Sequence, residues 1–378
     1  MQLTEEQAMI RKTVRKFALE EVEPLAIEID RDHRFPLETM KKMAELGLLG
    51  INIPEEYGGA GMDDLCYTIA VEELGRVCGS TGLTLAAHIS LCTYPIFAFA
   101  SEEQKRKYVP DLAAGRWMGA FGLTEPNAGS DAGGTQTVAV KKGDGYIVNG
   151  AKLFITNAMN AGTFIVTAVT EKGIGTRGIS AFIMERDYPG FSVKKGDEKL
   201  GMRGSDWGEL IFEDAEVPAE NLIGKEGEGF KLFMKTLDGG RISIGALALG
   251  IAQGALDKAV KYARERIQFD KPIIEHQAIA FKLAEMATKI EAARHLVYDA
   301  ARRKVAGEPF SLQSAYAKLF ASEIAMEVTS DAIQIHGGYG YIRDYHVERY
   351  WRDAKLCTIG EGTSEIQKLV ISKFLARS

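Results

Sequence analysis

The feature that most constrains this chain is a hydrophobic period that changes twice. Up to about residue 118 apolar residues recur at helical spacing. Between residues 119 and 222 they gather in short β-branched runs, and from Gly227 onward helical spacing returns and persists. Blocks of different period cannot lie in one layer, so the order reads as three domains: helical (1–118), β (119–222) and helical (223–378). The 378 residues, 46% of them hydrophobic, are enough for three cores.

Within the first block, Thr4 and Gln7 form a capping box and Ile10, Val14, Phe17 and Val22 follow at helical spacing until Pro24, which is expected to end the helix. Further helices are expected over residues 37–48 and 65–77, on either side of a loop at 54–61. The second block predicts strands over 135–140, 146–148, 163–169, 179–184 and 209–212, with Gly143-Asp144-Gly145 as a hairpin turn. The third predicts long helices over 241–266, 275–305 and 312–336, the last stopped by Gly337-Gly338.

Charge and cysteine content exclude several classes. The net charge of -6 comes from 52 acidic and 46 basic residues that are well mixed, so no basic stripe is available for nucleic acid. The four cysteines (Cys66, Cys78, Cys92, Cys357) form no CxxC pair and have no histidine at ligand spacing, which argues against a disulfide framework and against a metal site. The N-terminus lacks the pattern of a signal peptide, and no apolar run is expected to span a bilayer. A cytoplasmic protein without a membrane partner is therefore expected.

Three segments carry chemistry. Gly122-Leu123-Thr124-Glu125-Pro126-Asn127-Ala128-Gly129-Ser130-Asp131 offers small and hydroxyl residues that let a backbone approach a phosphate or a ring; its plain alternative is a surface loop. Gln334-Ile335-His336-Gly337-Gly338-Tyr339-Gly340 ends a helix in glycines, as an ordinary stop signal also would. Glu361-Gly362-Thr363-Ser364-Glu365-Ile366-Gln367 places a glutamate just ahead of a last helix that Ser364 and Gln367 would cap. Alone, Glu361 would be a solvated loop residue.

In order and spacing together, these segments resemble the acyl-CoA dehydrogenase family, and the resemblance covers nearly the whole chain. It implies an N-terminal α-helical domain, a middle β-barrel-like domain and a C-terminal four-helix bundle. It implies FAD as cofactor, with Phe121, Leu123, Thr124, Gly129 and Ser130 beside the ring and pyrophosphate, and with Phe154, Ile155 and Thr156 along the isoalloxazine. Arg266, Phe269 and Gln277 match residues that bind the FAD of a neighbouring subunit, and Gln334, Gly337 and Gly338 match an adenine and phosphate contact. Thr363, Ser364 and Glu365 lie at a helix N-terminus, which favours phosphate.

For the acyl-CoA substrate the resemblance points to Ser130, Leu237, Asp238, Arg241 and Gly362. Glu361 would be the base that takes the α proton, with the β hydride going to the flavin and the electrons to an electron-transfer flavoprotein. A homotetramer built as a dimer of dimers is implied. Members acting on branched or long chains can carry the base at the position of Gly240, which cannot serve, so short-chain (butyryl-CoA-like) substrates are expected. Ala86-Ala87-His88-Ile89-Ser90-Leu91 offers no arginine for a distal carboxylate. The alternatives are enoyl-CoA reduction in an electron-bifurcating complex, a branched-chain dehydrogenase, an acyl-CoA oxidase and a non-catalytic flavin subunit.

Overall fold

The computed structural model describes residues 2–376. Helix α1 (Glu5–Phe17) starts on the expected box: Gln7 N–H donates to Thr4 Oγ1 at 3.2 Å and Thr4 N–H to Gln7 Oε1 at 3.1 Å. Pro24 does not end the helical run. A π-helical turn (Ala18–Val22) leads directly into α2 (Glu23–Asp32), where proline sits in a first turn that needs no N–H from it. Helix α3 (Leu37–Glu45) stops earlier than expected, at Gly47 with φ 71°.

The first domain continues with α4 (Asp64–Gly75), α5 (Gly79–Ala86), α6 (Tyr94–Phe99) and α7 (Glu102–Ala113). A π-helical turn over Ala87–Thr93 fuses α5 and α6. The expectation about bilayer-spanning runs is corrected here: Gly79–Phe99 is long and apolar enough by length and composition to cross a membrane. Its most apolar window is 72% buried inside the protein, and every residue of α5 is buried. The apolar character is thus accounted for by its place as the innermost helix of a folded domain.

Strands β1 (Met118–Gly122), β2 (Val138–Lys142), β3 (Gly145–Thr156), β4 (Ala161–Val169), β5 (Ile179–Glu185), β6 (Phe191–Lys195), β7 (Trp207–Pro218) and β8 (Leu222–Ile223) form one sheet, ordered β6-β7-β3-β2-β4-β5-β8 with β1 parallel to β4. The two-residue turn at Gly143-Asp144 joins β2 to β3, with Gly143 at φ 59°. Strands β3 and β7 run far beyond the short segments expected, because Asn149-Gly150 is a register shift within the ladder and not a turn. Strand β1 is docked on the helical domain through His88, which is fully buried. Its Nδ1 accepts the Gly119 N–H at 2.9 Å and its Nε2 lies 3.1 Å from the Leu112 carbonyl. Burial holds its pKa down to about 4, so the ring is neutral with the proton on Nε2.

Helix α8 (Gly229–Glu265) begins twelve residues before the expected start, since Leu232, Phe233, Thr236 and Gly240 already share a buried face. A short hairpin, β9 (Ile267–Gln268) with β10 (Lys271–Pro272), leads to α9 (Gln277–Val305), α10 (Ser311–His336), α11 (Gly338–Tyr341), α12 (Val347–Cys357) and α13 (Ser364–Leu375). Helices α8, α9 and α10 pack together, α12 joins α8 and α10, and α13 lies on α10. At the junction of all three domains Arg352 pairs with Asp30 at 2.6 Å, while the Met202 N–H donates to Asp353 at 2.5 Å.

Candidate active site

The segment between α12 and α13 is short and tightly turned. Gly360 N–H donates to the Leu356 carbonyl at 2.8 Å and Ser364 N–H to the Thr358 carbonyl at 3.0 Å, which folds residues 358–363 back on themselves. Glu361 therefore adopts φ 54°, a left-handed conformation that costs a non-glycine residue about 1–2 kcal/mol. Helix α13 is capped by Thr363, whose Oγ1 accepts the Ile366 N–H at 3.3 Å. Ser364, the expected cap, instead donates its hydroxyl to Glu323 Oε1 on α10 at 2.5 Å. Ser364 is the first helical residue, one place too late for a capping geometry.

This turn aims the Glu361 side chain at α8. The residue is half-buried, but its Oε2 is sealed from solvent and has no hydrogen-bond partner. A Cβ built on Gly240 would overlap that oxygen, so the carboxylate occupies the space that only a glycine leaves on this face of α8. Burial pushes the Glu361 pKa up to about 8, against the opposing pull of Lys318 and Arg241. A carboxylate with one oxygen sealed from water and left without a donor binds a proton more tightly than a surface one, and that makes a base.

Around it, Arg241 is buried and donates to Asp238 Oδ1 at 2.5 Å, and Asp238 Oδ2 accepts the Ser311 hydroxyl at 2.5 Å. Arg241 Nε has no partner. Leu237, Asp238 and Gly362, near Arg241 and Glu361 in the chain, are half-buried. From the β domain, the half-buried Phe121 stacks on Phe233 of α8 at 4.2 Å, one turn before Leu237, which brings β1 to the same end of the helix.

The loop after β1 is anchored by Glu125. Its carboxylate accepts from Lys152 Nζ at 2.7 Å, Gln136 N–H at 2.6 Å, Thr137 N–H at 3.0 Å and the Thr135 hydroxyl. Leu153 N–H donates to the Thr124 carbonyl at 2.8 Å, so Leu123 and Thr124 are fixed beside β3. On that strand Phe154, at φ 61° and 64% exposed, stacks on Trp207 at 5.2 Å. Thr124 and Thr156 are half-buried, Ile155 is buried, and Gly129 and Ser130 are exposed, with open space at Gly129.

The remaining candidates are not brought to this place. Arg266 closes the far end of α8, 26 positions from Gly240 and hence roughly 40 Å away along the axis at 1.5 Å per residue. It sits 5.4 Å from the Tyr339 ring, and Tyr262 stacks on His336 at 4.3 Å, so Gln334, Gly337 and Gly338 cluster with Arg266 at that far end. Phe269 is 88% exposed on the β9–β10 hairpin, and Gln277 is exposed at the start of α9. The candidate residues of one chain therefore fall into two separated clusters.

Near Glu361 the sequence does not single out Lys318, and it assigns Gln367 to the cap of the last helix, a role that its side chain does not take. Lys318 is fully buried on α10 and donates to the Gly362 carbonyl at 2.7 Å. Gln367 is fully buried on α13 and donates to the Gly362 carbonyl at 3.0 Å and to that of Glu361 at 3.3 Å. The available signal was a lysine set among Ser314, Ala317, Ala321 and Ser322, in the buried stripe of a helix. Among the described residues no group of three or more His, Cys, Asp or Glu could hold a metal ion, and all four cysteines are free and buried.

Comparison with known proteins bears on the whole chain. Family models match at residues 4–116 (acyl-CoA dehydrogenase, N-terminal domain), 120–215 (middle domain) and 227–376 (C-terminal domain). A short-chain specific acyl-CoA dehydrogenase of Clostridium acetobutylicum is 56% identical over 370 residues, covering 98% of each chain. A chain solved in work on the electron transferring flavoprotein of Acidaminococcus fermentans and flavin-based electron bifurcation is 55% identical, with a TM-score of 0.98 over 100% of both chains. The butyryl-CoA dehydrogenase of Megasphaera elsdenii superposes with the same TM-score at 47% identity, again over 100% of both chains.

Proposed function

This chain belongs to the acyl-CoA dehydrogenase family, and on that premise we propose that it dehydrogenates short, straight-chain acyl-CoA thioesters, with Glu361 as the base that removes the α proton. The observation that carries this reading is the Glu361 carboxylate itself, with Oε2 sealed and unpartnered opposite Gly240. An α proton beside a thioester is too weakly acidic for an ordinary carboxylate. A glutamate raised to about 8 lies much nearer the proton affinity required. Arg241 and Asp238 stand beside it as the polar pair that would hold the coenzyme A part and fix the acyl carbons over the carboxylate.

The enzyme is an FAD-dependent oxidoreductase, and bound FAD supplies the two-electron acceptor for the β hydride. The residues present suit that group. The exposed Phe154 stacked on the half-buried Trp207, the half-buried hydroxyls of Thr124 and Thr156 and the open space at Gly129 would take the ring and its chain together with Phe121, Leu123, Ile155 and Ser130. Thr363, Ser364 and Glu365 stand at the N-terminus of α13, whose dipole is suited to phosphate. Arg266, Phe269, Gln277, Gln334, Gly337 and Gly338, roughly 40 Å away, would serve the cofactor of a second chain. A site that needs both ends of α8 requires at least a dimer, and the proposed assembly is a dimer of dimers.

Two residues support the reading of a short, straight acyl chain. Gly240 leaves α8 without an alternative base, and His88, neutral and bonded on both nitrogens, offers no cation for a second carboxylate. Electrons would leave to an electron-transferring flavoprotein, the protein named with the Acidaminococcus neighbour. Adding butyryl-CoA anaerobically to the FAD-loaded enzyme should bleach the flavin, and reoxidation in air should be slow. Glu361→Gln should keep FAD and ligand binding while turnover falls by about 10³-fold or more. Turnover retained in that variant would place the base elsewhere, and fast reoxidation would indicate an oxidase.

A further inference from the structure

We propose that Lys318 is a positioning residue for the base: from within α10 its ammonium clamps the Gly362 carbonyl, fixes the left-handed turn at Glu361 and supplies the uncompensated positive charge beside the carboxylate. The inference rests on Glu361 being the base. Lysine is almost never fully buried unless it is paired. Lys318 is 0% exposed, and among the described residues no carboxylate oxygen lies within 4.0 Å of its ammonium. Its 2.7 Å bond goes to a peptide carbonyl, that of the residue immediately after the base.

A bare structural clamp would not need a charge. Gln367 already donates to the same carbonyl at 3.0 Å, and a neutral donor from α10 could complete the pair. Two donors converging on Gly362 O hold the peptide after Gly362, and with it the consecutive positive φ angles of Glu361 (54°) and Gly362 (95°). What the ammonium adds is field. The titratable groups facing Glu361 are Lys318 from α10, Arg241 from α8, Tyr67 from α4 and Cys357 at the end of α12.

Burial keeps Tyr67 and Cys357 protonated and therefore uncharged, the thiol being pushed up to about 12. Arg241 is matched at 2.5 Å by Asp238. Only Lys318 is left without a close counter-charge, although Glu323 and Glu361 both attract it at longer range. Burial favours the neutral form of the lysine as well, to about 8, so the charge on the ammonium and the charge on the base are linked.

The test uses full-length, FAD-loaded enzyme and butyryl-CoA, with kcat and KM measured against pH for Lys318→Met, Lys318→Gln and Lys318→Arg beside Glu361→Gln. Lys318→Met should lower kcat by about 10- to 100-fold with KM changed less than about threefold, and should move the acid limb of the profile up by about one pH unit. Lys318→Gln keeps a donor without the charge, so it should recover kcat at high pH yet show the same displaced limb. Lys318→Arg should hold the limb near that of the unmodified enzyme. An unmoved limb in both neutral variants, with Glu361→Gln inactive, overturns the proposal and leaves the base assignment standing. Turnover by Glu361→Gln would instead remove the base assignment itself. Should Lys318→Met fail to hold FAD, Gln against Arg decides: a limb displaced in Gln alone supports the clamp's charge, and identical limbs overturn it.

Discussion

Two glutamates of this protein are removed from water and end at opposite extremes. Glu125, in the loop after β1, receives Lys152, two backbone N–H groups and the Thr135 hydroxyl; although burial alone would raise its pKa, these partners hold it down to about 2. Glu361, between α12 and α13, has an oxygen with no partner at all, and burial takes it up to about 8. Burial is common to both. The donors supplied or withheld decide whether a buried carboxylate is a permanent anion that ties a loop in place or a base waiting for a proton.

The comparison breaks most severely if the β-domain pair is damaged. Lys152→Met strands Glu125 in the interior without its counter-charge, and removing one partner of a buried pair typically costs about 3–5 kcal/mol. Denaturant unfolding should register that loss, along with weakened FAD retention, because Leu123 and Thr124 lie in the loop that Glu125 anchors. A variant as stable as the parent would mean that the Lys152–Glu125 pair is energetically idle. The counterpart at the other site is Gly240→Ala. Its methyl would overlap Glu361 Oε2 and displace the carboxylate, so turnover should fall by about 10-fold or more, since displacements of about 1 Å can cost 10²-fold. FAD content and melting temperature should hardly change, because the substitution replaces glycine by the best helix former.

The domain order was legible in the sequence, but the contrast between the two carboxylates was not, because it rests on contacts such as Lys152 with Glu125. The order of helical, β and helical blocks follows from hydrophobic period, whereas Glu361 alone reads as a solvated loop residue and is singled out by the family resemblance. What escaped depends on long-range contact. Lys318 has no role until the turn before α13 is laid against α10, and Ser364 reads as a cap until Glu323 takes its hydroxyl. Pro24 reads as a stop because sequence spacing does not reveal a π-helical turn, and Gly79–Phe99 is dispersed among glycines and threonines that conceal one continuous buried helix. Strands β1 and β6 are five residues each, and their pairing partners were needed to define them.

The smallest effects should come from pH, and they separate the two carboxylates by window and by sign. Glu125 has a folded pKa below its unfolded value of 4.5, so its stabilising contribution is complete above that value and is lost as pH falls through 4.5 towards 2. Glu361 has a folded pKa above 4.5, so the unfolded chain releases its proton first and stability declines as pH rises from 4.5 to about 8. Activity runs the other way, because only the ionised Glu361 can accept a proton: kcat/KM should climb with pH and level off above about 8. Glu361→Gln has no carboxylate to titrate there, so its melting temperature should gain on that of the parent as pH is raised across this window. Parallel melting curves from pH 5 to 8 would show that Glu361 ionises as freely in the folded protein as in the unfolded chain, and the contrast with Glu125 would then be one of position alone.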